Sequence, residues 1–396
     1  MKIAMVCTEK LPVPPVSGGA VQLYIEGILP YLSQHHEITV YSIEHPSLAP
    51  DETVGGVHYV RVSAKSTQEY VNNLRTVIGK DFDLVHVFNR PLWILALGEK
   101  LPDTRFSLSL HNEMFHPEKI SEADALKCIN RVEFINAVSR FIAEGVVKRL
   151  PVAKSKMNVV YSGADIYKYK PVWTEEGMAN KKTLKQKYSL NGYKVVLFVG
   201  RLSNKKGVHI LLKALKTVMS KHKKVALVIV GSKWFGENKT DEYTILLKNL
   251  AKELTGPIVF TGFLPPSEIP PYYNLADVFV CPSQWNEPLA RVHYEAMAAG
   301  IPIITTNRGG NSEVIHGYGN GKVINDYSNP ETLASCINYF LENPAKCLEH
   351  GKKGRKLAEE KFNWERVAKE IFKPVSPRNN ETIAKSERKD PFTFFI

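Results

Sequence analysis

The run Lys194-Val-Val-Leu-Phe-Val199 is followed at once by Gly200-Arg201-Leu-Ser-Asn-Lys-Lys206-Gly207, then by a helical stretch over 210–220 and a second apolar run, Val225-Ala-Leu-Val-Ile-Val230. This stretch decides the fold class. Neither apolar run alternates with polar residues, so each reads as a strand buried on both faces. Such strands separated by a helix belong to a parallel sheet with helices on each side. The texture continues C-terminally, with strands expected at 258–261, Val278–Cys281 and 301–305. Late helices are expected at 333–341, 345–360 and 364–372.

The N-terminal half repeats the pattern. Strands are expected at 3–7, 38–42, Val57–Val62, Leu84–Phe88, 106–110, 134–138 and 159–161. Ala20–Leu32 reads as a helix with apolar residues at 21, 25, 28, 29 and 32. Between the halves, 167–187 is polar and weakly periodic and carries Lys181, Lys182, Lys185 and Lys187. It reads as a linker with a short helix whose lysines form a solvated face. The class is therefore α/β, with two Rossmann-like, doubly wound units facing a cleft, where ligands meet the C-terminal ends of the strands. The expected divisions are 1–166, a linker at 167–192, a second unit at 193–360, a helical segment at 361–373 that crosses back to the first unit, and a mobile tail at 374–396.

Composition agrees. The 396 residues make about two domains, and 44% hydrophobic with 23% charged residues is ordinary for a globular chain. Lys plus Arg number 52 against 40 Asp plus Glu, a formal net charge of +12, which suggests an anionic partner. Five scattered cysteines without a C-x-x-C pair argue against a zinc site or disulfide framework and fit a reducing, cytoplasmic setting. The apolar start is too short for a signal peptide. No run of about 20 apolar residues occurs, so membrane contact is expected to be peripheral at most.

Four segments could carry chemistry. In Cys281-Pro-Ser-Gln-Trp-Asn-Glu287-Pro-Leu289-Ala290-Arg291-Val-His-Tyr-Glu295, a strand ends at Cys281 and a helix is expected to begin near Leu289. Glu287 could accept hydrogen bonds from sugar hydroxyls, and Glu295, about two turns into the helix, from a second polyol such as a ribose. The helix start offers N–H groups to a diphosphate. The alternative makes Glu287 a capping acid and Glu295 a surface acid. In the loop after Lys194–Val199, Arg201 offers a fork and Lys206 a point charge to phosphate, or both are simply solvated. Gly18-Gly19 allows close backbone approach or makes a tight turn. His111, after the 106–110 strand, could meet a substrate hydroxyl or be a packed, hydrogen-bonded histidine. His86, inside a strand, reads as core. Neither has a second histidine at metal-ligand spacing. A Walker A loop, a G-x-G-x-x-G fingerprint and a G-x-S-x-G elbow are all missing, and nucleic-acid binding would rest on charge alone.

As an ordered set, Gly18-Gly19, His111, Gly200-Arg201-Leu-x-x-x-Lys206-Gly207, Glu287-x7-Glu295 and Phe362-Asn-Trp364 resemble the family 4 glycosyltransferases of the GT-B fold, over roughly residues 1–372. The resemblance implies a retaining enzyme that uses a UDP- or GDP-sugar as donor substrate, with no metal and no cofactor. It assigns the first unit to the acceptor and the second to the donor. Arg201 and Lys206 would bind the diphosphate and steady the leaving nucleotide. Glu287 would hold the transferred sugar, Glu295 the ribose, and His111 would sit by the sugar. N–H groups around Leu289, Ala290 and Arg291 would meet phosphate or sugar oxygens. Gly18 and Gly19 would lie near the phosphates and acceptor, and Gly231, Trp234 and Phe263 would border the nucleobase. The family commonly has Glu-Pro-Phe-Gly-Leu where this chain has Glu287-Pro-Leu289-Ala290-Arg291. Arg291 would therefore either read an acidic or modified sugar or make a structural ion pair.

The stretches 8–14, 111–114 and 231–236 look like the branch of the family found in spore formers. That implies a glycan, protein or lipid-linked acceptor in a spore coat or other envelope layer, and partners among spore coat proteins. Synthesis would be cytoplasmic, with incorporation into the coat. Two other readings are a catalytically weak or inactive coat assembly protein with this fold, and another GT-B enzyme such as an epimerase or phosphorylase. Glu287-x7-Glu295 argues against the latter. The cleft is expected to narrow when donor binds, because its groups come from both halves.

Overall fold

The computed structural model describes residues 1–233 and 241–373. The expectations for Trp234, for the rest of 234–236 and for the 374–396 tail lie outside the described residues. The first eight strands are β1 (Lys2–Val6), β2 (Glu37–Ile43), β3 (Asp51–Val54), β4 (Val57–Val62), β5 (Leu84–Phe88), β6 (Arg105–Leu110), β7 (Val132–Ala137) and β8 (Met157–Val159). They form one sheet in the order β3-β4-β2-β1-β5-β6-β7-β8. The last six are β9 (Lys194–Val199), β10 (Val225–Val230), β11 (Ile258–Phe260), β12 (Val278–Cys281), β13 (Ile303–Thr306) and β14 (Gly321–Ile324). They form a second sheet in the order β11-β10-β9-β12-β13-β14.

Every neighbouring pair is parallel except β3 with β4. The antiparallel β3 was not foreseen. Asp51-Glu-Thr-Val54 is polar and its side chains are mostly exposed, so it has no buried-strand signature. It pairs because Gly55 and Gly56, both at positive φ, close a two-residue hairpin.

The continuous apolar strands have the predicted cause. Along β9, Val195, Leu197 and Val199 enter the core on one face, while Val196 and Phe198 enter the core on the other. In β1, Ala4 and Val6 face one way and Ile3 and Met5 the other. Both sheets are thus covered on both sides, as a period of two requires when both faces are buried. In each sheet the strand order reverses around the first strand, between β1 and β5 and between β9 and β12. The crevice at such a switch point is where loops from the strand C-termini converge.

After helix Pro344–Glu360 the chain returns to the first sheet. Ala164 bridges Asn363, and helix Trp364–Ile371 buries Trp364, Val367, Ala368 and Ile371 among Tyr24, Ile25 and Ile28. Asn136 Nδ2 donates to the Ile371 carbonyl at 2.7 Å, and Arg366 donates to the carbonyls of Tyr161 and Ser162. Helix Ala20–Leu32 accepts the indole because residue 27 is glycine. A Cβ there would overlap the Trp364 ring. Burying three large apolar side chains is worth about 1.5–3 kcal/mol each, enough to hold the returning helix on the first unit.

Candidate active site

Loops from the C-terminal ends of β1, β6, β9, β10 and β12 line a single cleft of about 2150 Å³. That exceeds the 300–1,000 Å³ typical of one small ligand, so the cleft has room for more than one small molecule. Gly18, Gly19, His111, Arg201, Lys206, Gly231, Phe263, Glu287, Leu289, Ala290, Arg291 and Glu295 all line it. The structure brings together every candidate named from the sequence that lies within the described residues.

Glu287 is at the centre. It is only 4% exposed. Lys206 Nζ lies 2.5 Å from its Oε1, and Ser283 Oγ donates to the same oxygen at 3.0 Å. Its other oxygen accepts no hydrogen bond from the described residues, and the residue lines the cleft. A buried carboxylate survives only when paired and hydrogen-bonded. Lys206 can take that place because Gly207, in the left-handed region at φ 72°, packs on the Pro282 carbonyl where any Cβ would clash. The loop after β9 is thereby clamped onto the loop after β12.

Glu295 is buried too, so the surface-acid alternative fails. Tyr273 donates its hydroxyl to Oε2 at 2.7 Å, and Arg291 Nη2 lies 3.4 Å from Oε1. The guanidinium of Arg291 also stacks over the Trp364 ring, 5.1 Å from its centroid. Arg291 therefore makes the ion pair foreseen for it and also meets the helix that packs on the first unit. The helix at this site begins at Val292, not near Leu289, and Glu295 sits in its first turn. Residues 287–290 instead follow the segment after β13. Glu287 bridges Gly309, and the Ala290 N–H is already donated to Asn311 Oδ1 at 3.0 Å. The expectation that a helix start presents the Ala290 amide to the ligand is corrected on both counts.

His111 is held by backbone and rings. Its N–H donates to Asn89 Oδ1 at 3.1 Å, and its imidazole meets Tyr24 edge-on at 4.7 Å. Burial, with Arg291 nearby, pushes its pKa down to about 3, so it is neutral at physiological pH. Its Nε2 is buried without a hydrogen-bond partner, as are Arg291 Nη1 and Trp285 Nε1 on the same cleft wall. Buried polar atoms are normally satisfied, so these three are exceptions clustered among residues that line the cleft. His86, by contrast, is the core histidine expected. Ser107 Oγ and Ser109 Oγ flank it at 2.7 and 2.8 Å, and burial lowers its pKa to about 3.

Gly231 also has a steric reason. Its φ is 130°, and a Cβ would strike the Gly200 carbonyl. Gly19, at φ 105°, leaves room for the Gln22 amide, which ties the first loop to Thr8 and the Leu11 carbonyl. The residues missed in the sequence are Tyr273, Ser283, Trp285 and Asn311, none of which belongs to a spaced motif. No group of three or more His, Cys, Asp or Glu side chains able to share a metal occurs among the described residues. No described helix is long and apolar enough to cross a membrane.

Two facing Rossmann-like sheets, with acid–lysine chemistry on the second and a glycine turn and histidine on the first, define a sugar-transfer cleft of the GT-B type. Family models match both halves. The model described as Glycosyltransferase Family 4 covers residues 18–168, and that described as Glycosyl transferases group 1 covers residues 180–357. The chain belongs to the family 4 glycosyltransferases. It is 48% identical over 372 residues to Spore coat protein SA of Bacillus subtilis, spanning 94% of this chain and 98% of that protein. It is 25% identical over 387 residues to the lipopolysaccharide 1,2-N-acetylglucosaminetransferase of Salmonella typhimurium, spanning 93% and 96%. The fold matches the crystal structure of Anabaena Alr3699/HepE in complex with UDP-glucose at a TM-score of 0.75, with 21% identity, covering 97% of this chain and 100% of that one.

Proposed function

We propose that this protein is a retaining glycosyltransferase that moves a hexosyl group from a UDP- or GDP-sugar to a spore-coat or other cell-envelope acceptor, with no metal. The observation that carries the reading is the Lys206–Glu287 contact in the loops after β9 and β12, both residues lining the cleft and one oxygen of Glu287 accepting no hydrogen bond from the described residues. A lysine and a carboxylate in contact can each serve one half of a nucleotide sugar. Arg201 and Lys206 offset the diphosphate charge, which grows as the glycosidic bond breaks, and so do electrostatically what a divalent cation does elsewhere. Glu287 accepts from sugar hydroxyls, and Glu295, oriented by Tyr273, from the ribose. Neutral His111, which lines the cleft, sits by the sugar.

In the proposed step the acceptor hydroxyl attacks the anomeric carbon from the face that the diphosphate leaves. The new C–O bond forms as the C–O bond to phosphate breaks, and the hydroxyl proton passes to a phosphate oxygen of the departing nucleotide. No protein carboxylate attacks the sugar. The envelope acceptor is suggested by the relative's name, Spore coat protein SA.

The test is a panel of UDP- and GDP-sugars read by thermal shift and nucleoside diphosphate release. A donor at 100 times its Kd stabilises the fold by about 2.7 kcal/mol. Glu287→Gln is expected to lower turnover at least 100-fold. If no member of the panel binds or turns over, the transferase reading fails and the coat-assembly reading takes its place.

A further inference from the structure

The five residues Gly309-Gly310-Asn311-Ser312-Glu313, just after β13, touch both units at once. Toward the second unit they hold the loop that carries Glu287. Gly309 bridges Glu287, the Gly310 N–H donates to the Glu287 carbonyl at 2.8 Å, and fully buried Asn311 accepts the Ala290 N–H. Gly309 has φ 62°, and a Cβ there would overlap the Glu287 backbone. Toward the first unit, Glu313 meets the start of the ten-residue helix Arg140–Arg149. Its Oε1 accepts the Phe141 N–H, and its Oε2 accepts both the Arg140 N–H and the Tyr161 hydroxyl, all at 2.8 Å.

Those amides belong to the four that a helix start leaves without intrahelical partners, and a carboxylate there is favoured by the helix dipole. Ser139 takes the next amide, that of Ile142, at 3.2 Å. Gly310 fills the space between the two sides. A Cβ on it would come within 2.7 Å of the Ser139 Cβ. The segment is thus a short strut, with the first unit's helix at one end and the backbone of Glu287 and Ala290 at the other.

We infer that Glu313 is a positioning residue for the transfer reaction: by gripping the helix Arg140–Arg149 it fixes the strut that sets the backbone of the Glu287 loop. Its catalytic consequence rests on the reading of Glu287 as the donor-sugar ligand. A capping acid that merely stabilised the interface would have no effect beyond the helix it caps.

The test uses the full-length chain, with hydrogen exchange as a readout that needs no ligand. In Glu313→Gln, amides in 285–291 are expected to exchange at least tenfold faster, while those of β12 stay as in the parent. Tyr161→Phe, which removes one of the three donors, should give a smaller change in the same segment. Faster exchange confined to 139–142, with 285–291 unaltered, overturns the inference. The kinetic arm uses UDP-glucose hydrolysis. Glu313→Gln should lower kcat about tenfold with KM within threefold of the parent, and should cause no further loss in a Glu287→Gln background. An unchanged kcat, or losses that multiply, overturns the catalytic consequence. Absence of UDP-glucose turnover in the parent counts against the donor reading and leaves the exchange result to decide the strut.

Discussion

Replacing Lys206 with alanine separates what the cleft needs for stability from what it needs for chemistry. The lysine side chain is 20% exposed and that of Glu287 is 5% exposed, with Nζ and Oε1 2.5 Å apart. Removing the lysine leaves a nearly buried carboxylate with Ser283 as its one side-chain donor among the described residues. Breaking a fully buried pair from one side costs about 3–5 kcal/mol. The partial exposure of the lysine lets water reach the site, so about 2–3 kcal/mol is expected here. For a unit of this size that lowers the Tm by roughly 5–10 °C. The double variant Lys206→Met with Glu287→Gln removes both charges and should recover most of that loss, because no charge is left buried alone. It should recover none of the nucleoside diphosphate release. Scanning calorimetry and a coupled assay for released diphosphate read the two effects. A Lys206→Ala protein with unchanged Tm, or a double variant as active as the parent, would refute the reasoning.

Other outcomes are equally definite. Gly27→Ala drives a methyl into the Trp364 indole; overpacking of this kind costs about 1–3 kcal/mol, which urea denaturation would show. His86 and His111 are held neutral, with folded pKa values of about 3 against about 6.5 unfolded. Below pH 6.5 the unfolded chain binds protons that the folded chain does not, so stability is full above that pH and falls as pH drops toward 3. Each histidine should account for a loss of roughly 1 kcal/mol between pH 7 and pH 5.5, and His86→Phe should flatten that slope. Arg291→Leu, which removes the contacts to Glu295 and Trp364, should lower the Tm yet leave the ranking of donor sugars as in the parent; a changed ranking would show that Arg291 reads the sugar. X-ray scattering should report a smaller radius of gyration with saturating donor, and identical profiles would deny closure.

Much of this site was legible because its parts follow strands that announce themselves. The runs at β9 and β10 are apolar on both faces, so the sequence alone places the loops behind them, with Arg201, Lys206 and Gly231, at the strand ends. The same holds for His111 after β6. Glu287 and Glu295 were legible as a spaced pair, but their surroundings were not. Tyr273 reaches Glu295 from 22 positions away, and Asn311 reaches the Ala290 N–H from 21 positions away, separations that no local periodicity reports. The late start of the helix at Val292 has the same origin, since the backbone of 287–290 is satisfied by residues 309–311 rather than by a helical turn. The one available cue was Gly309-Gly310 three residues past the end of β13, a pair that signals close backbone approach. The edge strand β3 was hidden because it is solvated, and Gly55-Gly56 was its only signal.

The most direct test follows UDP-α-D-glucose turnover by proton NMR in the presence of EDTA, with the parent chain and with Glu287→Gln. The account predicts UDP release with α-glucose as the first sugar formed, undiminished by the chelator and at least 100-fold slower in the variant. First-formed β-glucose, loss of turnover in EDTA, or equal rates for the two proteins would contradict it.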